Sequence, residues 1–229
     1  METKVLKKRA REALKQNRKV ALFPVFIILV LATSVGIPEF LMGTIAEFAW
    51  PFVYFVLLVG PILAGINWLF LDIYDEEEDI RYSTTFNPIR NYKKVALLTG
   101  IVNVLTVIGL AAFLIPGLVV GLLLSQAVYL LKENPDSSVG ECLKGSFSRM
   151  KGHVLELLVL VLSFAIYLVP TLIAWTVPFF GVVNPYVGGY LIVGGLVYLM
   201  FAGFYLVPLF GLSMAAFYRE VISRQKLSK

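Results

Sequence analysis

Apolar and polar positions divide the chain into three long apolar blocks, 20–71, 95–131 and 154–218, separated and flanked by four polar stretches. A hydrocarbon core about 30 Å thick takes roughly 20 apolar residues per helix, so each block has room for two crossings. Turn chemistry falls inside every block. The first has Pro38 and Gly43, with Glu39 and Glu47 as its only charges; the second has Pro116-Gly117; the third has Pro178, Gly181, Asn184 and Pro185. The pattern predicts three helical hairpins, with helices at 20–37 and 49–71, a longer and a shorter one within 95–131, and two at 154–177 and 190–218. The expected fold is all-α: a polytopic membrane protein, a six-transmembrane-helix bundle with cytoplasmic amphipathic surface helices. It forms one membrane domain over 1–229, in which 1–19 is an interfacial amphipathic helix, 20–71 hairpin one, 72–94 a cytoplasmic loop, 95–131 hairpin two, 132–152 a cytoplasmic amphipathic segment, 153–218 hairpin three and 219–229 a cytoplasmic tail.

The polar stretches carry helical patterns of their own. Within 4–17, Val5, Leu6, Ala10, Ala13 and Leu14 share one face while Lys7, Lys8, Arg11 and Lys15 crowd the other, as in a helix lying in a membrane interface. Asn134-Pro135 stops the fourth helix, and Ser138-x-x-Glu141 has the form of a capping box. The helix it starts has a stripe of Val139, Cys142, Leu143, Phe147 and Met150, with Lys144 and Arg149 placed to reach lipid headgroups. An Asn-basic-Val-Ala-Leu echo between residues 17 and 91 raises a threefold repeat of surface segment plus hairpin, against the plainer reading of any basic-to-apolar junction.

Charge fixes the orientation. All 20 Lys and Arg fall at 4–19, 81–94, 132–151 and 219–229. With two crossings between successive clusters, every cluster returns to the same side, which is the positive-inside pattern. The expected location is therefore a cell membrane, multi-pass, with both termini cytoplasmic. The apolar run after Lys19 is too long for a secretory signal and reads as a retained first helix. Composition agrees: 59% hydrophobic and 15% charged, against about 25% charged in soluble domains. The net charge of +5 flanks membrane segments, which points to anionic lipid and not to nucleic acid. Lys7, Lys8, Arg9, Arg11, Lys144 and Arg149 are the candidate inner-leaflet contacts. Cys142 is the single cysteine, a free thiol.

Five groups of residues carry a family resemblance: Lys7-Lys8-Arg9-Ala10-Arg11 with Leu14, Ile115-Pro116-Gly117, Glu133-Asn134-Pro135, the stretch 146–152, and Ala216-Phe217-Tyr218-Arg219-Glu220. Taken in order over nearly the whole chain, they resemble the bacterial integral-membrane family designated domain of unknown function 975. That family is distantly similar to the membrane portion preceding some glycerophosphodiester phosphodiesterase domains. The resemblance implies a six-helix polytopic fold and no established activity.

Candidate chemistry is sparse. His153 and Glu156 share a helical face and form one polar site, although Glu156 also reads as a carboxylate favoured at a helix N-terminus. No spaced metal-ligand cluster, nucleophile with a base, or phosphate loop is present, so no metal or cofactor is expected. The acidic run 75–79 reads as a solvated loop. Asn67, Asn103, Ser125, Gln126, Ser163, Thr171 and Thr176 suit interhelical hydrogen bonds better than a ligand path. Gly117-x-x-x-Gly121 and Gly211-x-x-x-Ala215 allow close helix approach within the bundle or, alternatively, between two copies. Pro116, Gly117, Asn134 and Pro135 are candidate hinge or motif positions. The leading expectation is a non-enzymatic component of the bacterial cytoplasmic membrane, with a binding, accessory or protective role. Its partners are membrane lipids, another membrane protein or a second copy. The alternative is a transporter or permease component for a hydrophobic or amphiphilic solute.

Overall fold

The computed structural model describes residues 3–34, 53–76, 80–170, 173, 176 and 184–223, and no strand occurs among them. Helix α1, Thr3–Gln16, runs into α2, Arg18–Ser34. The bonds Asn17 N to Ala13 O and Ala21 N to Asn17 O bridge their junction. A π turn, Phe55–Val59, leads into α3, Gly60–Tyr74. Pro61 has no N–H to give, and Gly60 N reaches back five residues to Phe55 O, so the wider turn carries the helix past it. A 3-10 segment, Tyr82–Asn91, feeds α4, Tyr92–Ala112. Then come α5, Leu114–Leu124, α6, Ala127–Glu133, and α7, Val139–Met150. Helix α8, Val154–Ala165, continues as a 3-10 turn, and α9, Pro185–Phe217, ends in a π turn, Tyr218–Ser223.

Among the described residues, four helical stretches are long and apolar enough to cross a membrane: Phe55–Tyr74, Tyr82–Ala112, Leu114–Glu133 and Tyr186–Ile222. Helix α8 is apolar but shorter. The expected turns at Pro38–Gly43 and Pro178–Gly181, the charges Glu39 and Glu47, Glu77 to Asp79 of the acidic run, Thr171 and the tail beyond residue 223 lie outside the described residues.

Two prolines read as interruptions instead start helices. The second hairpin turns at Phe113, whose extended backbone (φ −158°, ψ 142°) separates α4 from α5 and leaves Pro116 in the first turn of α5. There a missing N–H costs nothing, because the first four have no intrahelical partner. Gly117 serves the hairpin differently: a Cβ there would lie 2.2 Å from Leu110 N, so only glycine lets α5 meet α4 backbone to backbone. Pro185 likewise stands in the first turn of α9, with the Asn184 side chain accepting from Tyr186 N at 2.9 Å. Helix α9 therefore begins at 185, before the expected 190.

The stretch 72–94, expected as a loop, is largely helical. Helix α3 continues through Tyr74, and Tyr82–Asn91 folds back along it until Thr85 rests on Gly65. The Tyr82 ring meets Phe23 of α2, with centroids 5.1 Å apart. Tyr82, Phe86 and Ile89 face outward. Polar composition hid this packing, which depends on a glycine seventeen positions or more from the segment it receives.

Side-chain burial is concentrated toward the end where α3, α6 and α9 finish. Leu69, Leu71, Ile73, Leu130, Leu131, Phe217 and Tyr218 are all buried there. At the far end Phe113, Leu114 and Ile115 are about 75% exposed, and Tyr186 and Tyr190 about 80%. Large apolar side chains bare at one end suit lipid as the solvent, and tyrosines there suit a headgroup belt. Helix α1 buries Leu6, Ala10, Ala13 and Leu14, mainly against α9, so protein covers most of the stripe expected to face lipid. In α7 the capping box is present as read, Ser138 Oγ accepting from Glu141 N and Glu141 Oε2 from Ser138 N. These bonds hold the Glu141 carboxyl below its ordinary range. The packed stripe of α7 is Val139, Cys142, Leu143, Ser146 and Met150, with Phe147 half exposed. Ser146, passed over because it is polar, donates to Leu123 O at 2.7 Å.

Candidate functional site

Helices α3, α6 and α9 end close together, and the charges at those ends form one connected network. Asp75 caps α3 and Glu133 closes α6, so both carboxylates stand at the negative ends of helix dipoles. Arg219 offsets both. Its Nε donates to Asp75 Oδ1 at 2.8 Å and Oδ2 at 2.9 Å, its Nη2 to Asp75 Oδ2 at 2.5 Å, and its Nη1 to Glu133 Oε1. The planar guanidinium supplies donors in two directions, which a lysine point charge does not. Glu220, the next residue, accepts from Arg9 of α1 and from the Tyr74 hydroxyl at 2.9 Å. The N-terminal helix is thereby tied to α3 and α9.

A second set staples α3 to α6. Trp68 Nε1 donates to Val128 O at 2.9 Å, Lys132 Nζ donates to Trp68 O at 3.0 Å and pairs with Asp72, and Tyr129 OH reaches Asn67 Oδ1 at 3.4 Å. Asn67, Trp68 and Asp72 share one face of α3, as Val128, Tyr129 and Lys132 do on α6. Tyr129 stacks on Tyr218 of α9 with centroids 5.0 Å apart, and the Arg219 guanidinium lies 5.7 Å from the Tyr218 ring centroid. Lys94 Nζ donates to Pro135 O at 2.5 Å, so the second basic cluster joins the third. Together with Arg9–Glu220 and Arg219–Glu133, this gathers residues of all four basic clusters at one end of the bundle.

Of the sequence-predicted residues, Arg9 lies within the network, and Lys7 approaches α8, donating to Ser163 O at 3.2 Å. Lys8, Arg11 and Lys144 are exposed. Arg149 is partly buried, with Nη1 enclosed and without a hydrogen-bond partner among the described residues. Asn134 ends α6, its N–H donating to Leu130 O at 3.0 Å, and Pro135 supplies the carbonyl that Lys94 uses. His153 Nδ1 and Glu156 Oε1 come within 3.5 Å at the start of α8, where Gly152 (φ +106°) makes the turn from α7. The network also holds Asp72, Tyr74, Trp68, Tyr129 and Lys132, which the sequence reading missed. Charges at the edge of an apolar run, spaced three or four apart, were the available signal.

The polar groups inside the helices mostly bond their own helix. Ser125, Thr99, Thr106 and Ser213 donate to carbonyls three or four residues back. Aromatic donors supply several of the bonds between helices, as in Trp68 to Val128 O, Tyr54 to Leu31 O and Tyr198 to Tyr167 O. The small residues pack within the chain, Gly121 against Thr106 and Gly211 against the Phe70 ring. No group of three metal-ligating side chains occurs among the described residues. Burial raises the pKa of the Cys142 thiol, which disfavours the reactive thiolate.

One to three turns from the charged helix ends, α2, α3, α8 and α9 line an open cavity of about 500 Å³. Its walls include Ile28, Leu63, Phe70, Val161, Phe164 and Phe210, and Asn67 is the one polar side chain among its lining residues.

A family model described as "Protein of unknown function (DUF975)" matches residues 91–225, a span containing Glu133, Tyr218, Arg219 and Glu220. No curated protein and no solved structure matches the chain.

Proposed function

From the premise that the chain belongs to the DUF975 family, we propose a non-enzymatic, six-helix component of the bacterial cytoplasmic membrane that binds lipid or a partner membrane protein. The two crossings beyond the four long apolar stretches are α2 and the helix that begins with α8. The chain is one domain, with both its ends and all four basic clusters on the cytoplasmic side. The segments around α1 and α7 form a layer at the inner leaflet.

The observation that carries this reading is the gathering of Arg9, Lys94, Lys132 and Arg219, one residue from each basic cluster, at one end of the bundle, with bare apolar side chains at the other. A basic end facing an anionic leaflet is the arrangement favoured by charge, at about 1 kcal/mol per Lys or Arg near the surface. The network suits a clamp better than a catalyst. Its carboxylates Asp75, Glu133 and Glu220 already face cations, which leaves them poorly suited to act as general bases. A permease is the weaker reading, since a path for a polar solute needs more than the single polar side chain lining the cavity.

Protein purified in mild detergent is expected to retain phospholipid in native mass spectra, with the anionic species enriched over their share of the membrane. Turnover of a lipid headgroup by the delipidated protein would overturn the reading.

A further inference from the structure

The apolar cavity and the cation beside it fit one kind of ligand. Phe164 forms part of the cavity wall and edges Phe210, with ring centroids 5.3 Å apart. The Lys7 ammonium lies over that same Phe164 ring, 4.1 Å from its centroid, and donates to Ser163 O. Lys7 makes no ion pair among the described residues, and the charge acting on it is that of Arg11, one helical turn along. One cation therefore stands at the wall of an apolar cavity, and a second, Arg11, follows one turn along the same helix, near enough for its charge to act on Lys7. By contrast, Arg9, on another face of the same helix, is paired with Glu220.

Position along the bundle orders these parts. The cavity residues of α3 and α9 lie one to three turns from the charged helix ends, roughly 5–20 Å along the helices at 1.5 Å per residue, while Lys7 stands at the cavity wall itself, on Phe164. The cavity volume falls within the roughly 300–1,000 Å³ of small-ligand sites. Its lining is matched by hydrocarbon.

We propose that this cavity holds an acyl chain of an anionic phospholipid whose headgroup rests against Lys7 and Arg11. The inference deepens the lipid-binding reading above and rests on it. Burial and the charge of Arg11 both lower the Lys7 pKa, and an anionic headgroup relieves the second of these. The aromatic wall gives the chain contact area, while the two cations discriminate between headgroups.

The test is native mass spectrometry of the full chain titrated with phosphatidylglycerol, phosphatidylcholine or glycerol 3-phosphate. One phosphatidylglycerol is expected to bind more tightly than phosphatidylcholine, and glycerol 3-phosphate is expected not to displace it. Lys7→Gln with Arg11→Gln should weaken phosphatidylglycerol by about tenfold, as loss of charge-assisted contacts does, and abolish the preference. Ala165→Trp, which fills the cavity, should weaken both lipids. Arg90→Gln, at an exposed position outside the site, is the charge control and should change neither. Each variant is first checked for monodisperse elution. If the preference survives Lys7→Gln with Arg11→Gln, or both lipids survive Ala165→Trp, the site is wrong although lipid binding stands. If the unsubstituted protein retains no lipid, the functional reading fails with it. Displacement by glycerol 3-phosphate assigns the cations to a soluble phosphate and overturns the lipid.

Discussion

Arg219→Ala is expected to cost roughly 3 kcal/mol, the low end of the range for breaking a buried pair, since the groups here are only partly enclosed. The loss has two parts. Asp75 and Glu133 are left as uncompensated carboxylates at the negative ends of α3 and α6, and the bridge from α9 to both helices disappears. Arg219→Lys is expected to recover only part, because an ammonium cannot match the forked contacts with Asp75 and Glu133 together. Adding Asp75→Asn and Glu133→Gln to Arg219→Ala removes the stranded charges and should restore a substantial share. Thermal stability in detergent, read by the loss of monodisperse protein, measures all three variants. A triple variant no more stable than Arg219→Ala would show that stranded charge is not the cause.

Gly65→Ala should be damaging to a comparable degree. A Cβ at this position would lie 1.8 Å from the Thr85 carbonyl oxygen and 2.7 Å from its carbonyl carbon, and backbone cannot rotate aside as a side chain can. The 3-10 segment must lift off α3, uncovering Thr85 and separating Tyr82 from Phe23. Overpacking of this kind costs about 3 kcal/mol or more, against roughly 1 kcal/mol gained from the helix propensity of alanine. For a chain of this size that is a fall in Tm on the order of 5–10 °C. Gly194→Ala provides the contrast: nothing lies within 4 Å of a Cβ there, so propensity acts alone and stability should hold or rise. Equal Tm values for the two variants would contradict the close packing of Tyr82–Asn91 on α3.

The helical class and the apolar stretches were legible because hydropathy over 20 or more residues reflects the solvent around a helix, which is a local property. The capping box at Ser138 and Glu141 was legible for the same reason, since donor and acceptor are three residues apart. Pro116 and Pro185 show where local reading stops. Proline breaks a helix from within and starts one from its first turn, and the choice here was made by Phe113 turning and by α4 and α5 meeting at Gly109 and Gly117. The network falls between these cases. Arg9, Glu133, Arg219 and Glu220 all belong to the groups that carry the family resemblance, yet their pairing spans 86 to 211 residues of chain. Nothing local joins Arg219 to Asp75 and Glu133. The cavity was illegible for a similar reason, being walled by residues of four helices far apart in the chain.

The central claim is that the four basic clusters share the cytoplasmic side of the membrane, and labelling with a membrane-impermeant maleimide tests it most directly. With Cys142→Ala as background, single cysteines would replace the exposed residues Lys8, Lys144 and Tyr186. In intact cells the reagent is expected to reach position 186 alone; in inverted vesicles it should reach positions 8 and 144 and not 186. Labelling of positions 8 and 144 from opposite sides would contradict the account.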